Sequence, residues 1–172
     1  MQKASLALVV ALVAAACSSG PSAPALGEAE TVCNERFCVD VPEGWEGEVG
    51  ENHLSFHHAL DPAHTFLTVG ATDMEAIVES AGGTWPVPTE EVTRSFWALL
   101  EDADVGRFER STRRVGGAIQ SWGAHEDGEM WHLLEPVTGA TAIGIEMRAP
   151  NDSWESHATF VFDSLNILAT SP

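Results

Sequence analysis

Positive charge, tyrosine and long apolar runs are all scarce in this sequence. It contains no tyrosine, a single lysine and seven arginines against 26 acidic residues, and its formal net charge is −18. A surface of that sign repels phosphate backbones, which argues against nucleic acid as a partner. No stretch of the chain reaches the roughly 20 consecutive apolar residues that a membrane-spanning helix requires. The Gly-x-Ser-x-Gly pattern of hydrolases and the Asp-x-Asp-x-Asp-Gly pattern of calcium loops are also missing.

What the chain does contain at its start is the pattern of an export signal. Lys3 precedes an apolar segment over residues 6–13, and three alanines then lead to Cys17. The end of this stretch, Ala14-Ala15-Ala16-Cys17, resembles a bacterial lipobox, in which the cysteine is acylated and becomes the new first residue. We therefore expect a signal peptide over residues 1–16 and a lipid anchor at Cys17. An ordinary secretory signal, with Cys17 incidental, is the alternative.

Such an anchor would hold the protein on the extracytoplasmic face of a bacterial cell membrane or outer membrane, because multiple acyl chains give durable attachment. After loss of Lys3 with the signal, the net charge becomes −19. Residues 17–31 are small, polar and proline-bearing, and we expect them to form a flexible tether that starts at the lipidated cysteine. Residues 32–172 have the length of a single globular domain. We expect this domain to be a monomer.

Cys33 and Cys38 remain as an even pair of thiols. A tight turn at Glu35-Arg36 would set them directly opposite each other on paired strands, at the short separation that a disulfide needs. Such a bond persists outside the cytoplasm. A structural zinc site is disfavoured because zinc takes four ligands and no further cysteine is left. We predict a Cys33–Cys38 disulfide that holds this hairpin, with two free thiols as the alternative.

The periodicity of the domain is mixed. Alternation in "FCVDVPEGW", and in "HLSFHHAL" with "TFLTVGAT", predicts strands. A short helix is predicted in "TDMEAIVESAGG", where cap-type residues precede the apolar positions and a glycine pair follows them. A clearer helix over residues 90–102 has Thr89 as its cap and an apolar stripe at Val92, Phe96, Leu99 and Leu100.

Four further segments between residues 107 and 149 are separated by glycine turns and predict a meander of strands. Residues 151–168 predict a closing helix, capped near Asn151 or Asp152. Strands, helices, more strands and a final helix indicate an α+β domain, in which helices pack on an antiparallel sheet.

The domain opens with "VDVPEGW", has a helix in its middle and closes with "WESHATFVFDSLNIL". In these features it resembles the PsbP and DcrB-like group of small α/β sandwiches. The resemblance implies a PsbP-like fold. Members of that group are mostly non-enzymatic, and the resemblance assigns no functional residue. We expect no cofactor.

Four histidines surround Asp61 in the sequence and raise the question of a metal site: His53, His57, His58 and His64. Strand geometry argues against one. Neighbouring residues of a strand point to opposite faces, and His53 and His57 would lie about 13 Å apart at 3.3 Å per residue. Only His58 and His64 would converge, without a third ligand. We expect no metal, and no pattern of nucleophile and base identifies a catalytic residue.

Four of the seven arginines fall within eight residues: Arg107, Arg110, Arg113 and Arg114. They are candidates for a partner surface, because arginine pairs well with carboxylates. Neutralisation of neighbouring acids across the sheet is the simpler interpretation. Trp85 lies in a loop among prolines and is a second candidate, unless it covers a core edge.

Together these features favour a membrane-anchored, extracytoplasmic lipoprotein that acts as a non-enzymatic binding or assembly module for an envelope partner. A small-ligand or metal-binding lipoprotein is the main alternative. A hydrolase is the third, since triads are recognised by geometry rather than by sequence order.

Overall fold

Two antiparallel sheets and three α-helices make up residues 20–168, the part of the chain that the computed structural model describes. The strands are β1 (Ala29–Cys33), β2 (Phe37–Pro42), β3 (Trp45–Val49), β4 (His53–His58), β5 (Phe66–Asp73), β6 (Gly106–Arg113), β7 (Ile119–His125), β8 (Gly128–Thr138), β9 (Thr141–Ala149) and β10 (Asn166–Ile167). The helices are α1 (Met74–Ser80), α2 (Thr89–Asp102) and α3 (Glu155–Ser164), the last preceded by a 3-10 turn at Asp152–Trp154. The large sheet has the strand order β3-β4-β5-β9-β8-β7-β6, and the small sheet has the order β1-β2-β10. The predicted α+β class and the predicted β6–β9 meander are confirmed.

The main core lies between one face of the large sheet and a layer made of the small sheet and α3. Side chains alternate along β2 as predicted, with the odd-numbered ones buried. The core includes Phe37, Val39 and Val41 of β2, Leu67 and Ile145 of the large sheet, and Ala158 and Val161 of α3. Burial of this apolar surface fixes the small sheet and α3 on the same side of the large sheet.

Helices α1 and α2 cover part of the opposite face of the large sheet. Asp73 caps α1, because its carboxylate accepts hydrogen bonds from the backbone N–H groups of Glu75 and Ala76. Helix α2 has no such cap. The predicted capping by Thr89 is wrong, since Pro88 occupies the cap position and makes no side-chain hydrogen bond.

The buried face of α2 is also rotated from its prediction. Val92 is buried as expected, but Trp97 is 1% exposed while Leu99 is only half-buried. Trp97 donates its Nε1–H to Ser121 Oγ of β7 at 2.9 Å. A tryptophan outside the predicted stripe therefore anchors this helix to the sheet.

Both ends of the domain differ from expectation. Strand β1 begins at Ala29, within the segment 17–31 that was expected to be a tether, and residues 20–24 lie against the start of α3. The closing helix ends at Ser164 instead of continuing to residue 168, because Leu165 has an extended ψ of 120°. Asn166–Ile167 then pair with β2 and complete the hydrogen bonding of its second edge.

The disulfide between Cys33 and Cys38 is present, with the two residues directly opposed in the β1–β2 register and their Cα atoms 4.1 Å apart. Residues 1–19, which include the predicted signal peptide and Cys17, lie outside the described residues. The lipid anchor therefore remains a prediction. Within residues 20–168, no helix is both long and apolar enough to cross a membrane.

Candidate functional site

An open groove lies beside α1 and α2, on the part of the large sheet that these helices leave uncovered. Strands β5, β9 and β8 form its floor, His53 of β4 lies at one margin, and Phe96 of α2 and Ile77 of α1 form a wall. The groove has a volume of about 240 Å³. This is below the roughly 300 Å³ at which pockets for drug-sized ligands begin. The size suits a small ligand, or one short segment of a larger partner.

Two glycines keep the floor of the groove open. Gly70 of β5 and Gly144 of β9 are directly opposed in the register of the sheet. A Cβ atom at Gly144 would lie 2.6 Å from Thr72 Oγ1, inside normal contact distance. Thr68 and Glu146 form the opposed pair two positions along, and they share the groove face because side chains alternate along a strand. The floor is thus bare backbone flanked by polar side chains.

His132 of β8 is a buried polar side chain in the lining of the groove. It is 4% exposed and stacks on Phe96, with the ring centroids 4.2 Å apart and the planes inclined by 15°. Among the described residues its Nδ1 has no hydrogen-bond partner. Burial lowers the pKa of His132 to about 4, because the charged ring would lose its hydration. The ring is therefore neutral at pH 7 and leaves hydrogen-bonding capacity unmet beside the groove.

A neighbouring charge pair limits the net charge of the groove. Arg148 Nε donates to Glu146 Oε1 at 2.6 Å, and the Arg148 guanidinium lies 5.9 Å from the centre of the Phe66 ring. Besides this paired carboxylate, the polar groups of the groove are the hydroxyls of Thr68 and Thr72, the buried neutral imidazole of His132, and His53 at the margin. This set suits recognition of an uncharged polar group better than recognition of an ion.

The histidines that the sequence groups around Asp61 have separate surroundings. His58 is buried against Trp154, with ring centroids 4.9 Å apart, and its Nδ1 accepts from the backbone N–H of Leu60 at 3.1 Å. His64 pairs with Asp61 in the β4–β5 loop, with Nδ1 and Oδ1 2.8 Å apart. His53 lines the groove, and His57 is exposed on β4.

A group of possible metal ligands that the sequence patterns did not indicate lies at the β7–β8 hairpin. One atom each of His125, Glu126 and Asp127 lies within 4.8 Å of the other two. The signal was their adjacency in "AHEDGE", which is weak in so acidic a chain. Burial, and then the positive charge of Arg148, lower the pKa of His125. Nothing beyond the nearness of these groups points to a bound ion.

The arginine-rich strand β6 is an edge of the large sheet. Two arginines of β6, and Arg114 directly after it, pair with acids on the helices. The pairs are Arg110 with Glu155, Arg113 with Glu90, and Arg114 with Asp163. Arg110 also lies over the Trp122 ring, 4.7 Å from its centre. These contacts match the simpler interpretation, in which the arginines neutralise nearby acids and hold the edge strand to α2 and α3.

The remaining candidates for a partner surface lie apart from each other. Arg107 is exposed on β6 and makes none of the ion pairs found within residues 20–168. Trp85 is half-buried and packs, together with Val87, against the apolar cluster that contains Met74 and Val78. Trp85 therefore covers a core edge beneath α1 and α2.

Comparison with known proteins is informative for the fold alone. No protein-family model matches the sequence, and no curated protein matches it either. The solution structure of cyanobacterial PsbP (CyanoP) from Synechocystis sp. PCC 6803 is similar, with a TM-score of 0.55 and 12% identity over 86% of this chain and 98% of that chain. The chain therefore has a PsbP-like fold, as the sequence resemblance implied.

Two other structures are more distant. LpqN of Mycobacterium tuberculosis, described as involved in cell envelope biogenesis, has a TM-score of 0.44 and 13% identity, over 81% of this chain and 90% of that chain. A crystal structure from Bacteroides thetaiotaomicron VPI-5482 has a TM-score of 0.39 and 14% identity, over 77% of this chain and 45% of that one.

Proposed function

We propose that the protein is an extracytoplasmic, lipid-anchored binding module without catalytic chemistry of its own, and that it holds part of an envelope partner in the groove. The observation that carries the proposal is the groove floor, where the opposed Gly70 and Gly144 leave the backbone of two central strands uncovered. A core sheet normally covers such a position with side chains. Here the gap is flanked by hydroxyls and an apolar wall, the composition of a binding site.

The extracytoplasmic, membrane-anchored location in this proposal has separate support. The Cys33–Cys38 disulfide suits an oxidising compartment outside the cytoplasm. The residues before Cys17 have the pattern of a lipoprotein signal. Cells fed a labelled fatty acid should incorporate the label into the wild-type protein and not into the Cys17→Ser variant. A wild-type protein without label would contradict the anchor.

Binding in the groove is tested by site-specific photocrosslinking in intact cells. A photocrosslinking amino acid replaces Thr68 in the groove, and the matched control replaces Thr112, an exposed threonine on edge strand β6. We expect a discrete crosslinked species from position 68 that disappears when Gly144→Val fills the groove. Equal crosslinking from both positions, or a product that survives Gly144→Val, would contradict the proposal.

A small-ligand carrier is the second candidate, and the unpartnered Nδ1 of His132 favours it. A ligand with an uncharged polar group and an apolar edge would reach this buried nitrogen by displacing the Phe96 ring that stacks on the imidazole. Native mass spectrometry of the protein purified from its own membranes should then show a bound mass that His132→Leu removes. A ligand-free mass in both proteins would favour the binding of a protein partner.

A further inference from the structure

The described chain begins with a segment that is fastened to the domain. Residues 20–24, the N-terminal strap, lie along the 3-10 turn and the first turn of α3. Trp154 donates its Nε1–H to Pro21 O at 3.1 Å, and the backbone N–H of Ala23 donates to Ser153 Oγ at 2.8 Å. The side-chain amide of Asn151 donates to the carbonyl oxygens of Gly20 and Pro21, both at 3.2 Å.

A buried histidine adds a contact that only one tautomer can make. His157 is 0% exposed, and its Nδ1 accepts from Trp45 Nε1–H at 3.2 Å. Its Nε2 must therefore carry the proton, which it donates to Pro24 O at 3.0 Å. Release of the strap would leave this donor and Trp154 Nε1 without their acceptors, and buried donors are costly to leave unpaired. The strap is thus part of the folded domain.

The docked strap shortens the link between Cys17 and the domain. Gly20 follows Cys17 by three positions, and at no more than about 3.6 Å per step the Cα atoms of the two residues can be at most about 11 Å apart. A link that remained free as far as β1 would span twelve residues, up to about 43 Å. The first distance is too short to let the domain rotate freely about its anchor, whereas the second would allow any orientation.

Gly20 lies at one end of the large sheet, beside an open depression of about 540 Å³. The β4–β5 loop, the β7–β8 hairpin and the residue after β9 surround it, through Leu60, Asp61, His64, Glu126, Asp127 and Pro150. Leu60 is 61% exposed. The β3–β4, β6–β7 and β8–β9 hairpins lie at the opposite end, because consecutive hairpins of an antiparallel sheet alternate between its ends.

We infer that the end of the domain around Gly20, with Leu60, Asp61 and Glu126, faces the lipid bilayer, and that the β6–β7 and β8–β9 hairpins point away from it. This inference rests on the proposed lipid anchor at Cys17. The acidic groups at this end repel anionic headgroups, so the covalent anchor and the strap set the orientation, not affinity for lipid. The groove extends from Glu146 toward Thr72, near the β8–β9 hairpin, and therefore remains open to partners in the aqueous space.

The test uses the full acylated protein in vesicles of phosphatidylcholine with a minor fraction of phosphatidylglycerol and of a lipid that carries a headgroup quencher. A fluorescent amino acid replaces Leu60 at one end or Val115 at the other, which is fully exposed in the β6–β7 hairpin. The β6–β7 and β7–β8 hairpins lie at opposite ends of β7, so the two ends are separated by at least the length of this strand, about 23 Å for its 7 residues. We expect several-fold stronger quenching at position 60. If the protein is acylated, equal quenching at the two positions, or stronger quenching at position 115, would overturn the inferred orientation but not the lipid anchor.

A variant with a longer link tests whether the short link to the anchor causes the orientation. Insertion of an eight-residue Gly-Ser linker after Ser19 lengthens the link without changing any residue of the strap or the domain. The quenching ratio between positions 60 and 115 should then fall toward one, and an unchanged ratio would overturn the inference. A protein without an acyl group by mass spectrometry would overturn both the anchor and the orientation.

Discussion

The buried ring of His132 links the groove to the stability of the whole domain. Burial lowers the pKa of His132 to about 4, whereas an exposed histidine in the unfolded chain has a pKa near 6.5. Between these values the unfolded state binds a proton that the folded state does not, so stability falls as the pH falls from about 6.5 to about 4. We expect a loss of about 3 kcal/mol in the free energy of unfolding, measured by urea denaturation across this range.

The variant His132→Leu separates this effect from general acid destabilisation. It removes the titrating ring from a similar volume, so the pH dependence below about 6.5 should become shallower. Some slope should remain, because burial and the nearby His157 lower the pKa of His58 as well. An unchanged slope in His132→Leu would show that the ring does not stay neutral in the folded state.

Two glycines that lie in strands should respond differently to alanine. A Cβ atom at Gly123 would lie 2.3 Å from Arg107 O and 2.5 Å from the Trp97 ring, where backbone and a packed helix cannot move aside. A Cβ atom at Gly144 would instead meet the Thr72 hydroxyl, which can rotate. We expect Gly123→Ala to cost about 2–3 kcal/mol and Gly144→Ala clearly less. Urea denaturation of the two variants compares them, and an equal or reversed order would contradict the assigned contacts.

At the scale of elements, the Cys33–Cys38 disulfide closes a short loop. Its sequence separation is 5. Loop-closure entropy for so small a ring predicts a stabilisation of about 2 kcal/mol. The double variant Cys33→Ser/Cys38→Ser should lose about this amount in thermal or urea unfolding. A reducing agent should destabilise the wild type to the same level and leave the variant unchanged, and a reductant effect on the variant would point to another cause.

The elements that the sequence predicts well are those whose pattern is local. The alternation of β2 and the Cys33–Cys38 register follow from a hairpin that closes within a few residues. The start of strand β1, residues 29–31, was assigned to the tether because its side chains are exposed, which leaves no alternation to detect. Strand β10 has two residues and exists through its pairing with β2. Neither strand has a periodicity of its own.

Tertiary packing, and not the local sequence pattern, decides which face of α2 is buried. Phe96 and Trp97 are adjacent, so helix periodicity alone allows either to lead the buried face. Gly123 on β7 decides between them, because a glycine leaves the space that the Trp97 ring occupies. The groove and the strap likewise depend on contacts between residues that are distant in the sequence. The opposed pair Gly70 and Gly144, and the contacts of residues 20–24 with α3, join positions far apart in the sequence.

At the scale of the whole molecule, the surplus of acidic groups opposes folding. A net charge of −18 creates repulsion that is stronger in the folded state than in the extended chain. Few cations are available to offset it, and Arg110, Arg113 and Arg114 are already paired with Glu155, Glu90 and Asp163. Added salt should therefore stabilise the protein. At physiological salt the screening length is shorter than the width of the domain, so repulsion between distant acidic groups is weakened.

We expect the melting temperature at about pH 7.5 to rise when NaCl increases from roughly 10 mM to roughly 150 mM, over which the Debye length falls from 30 Å to about 8 Å. Relief of about 1 kcal/mol of repulsion corresponds to a rise of about 4 °C for a domain of this size. The same salt change near pH 4.5, the isoelectric point of the sequence, should have little effect, since the net charge there is close to zero. Circular dichroism at both pH values measures the difference. A rise of equal size at both would show that the acidic surplus is not its cause.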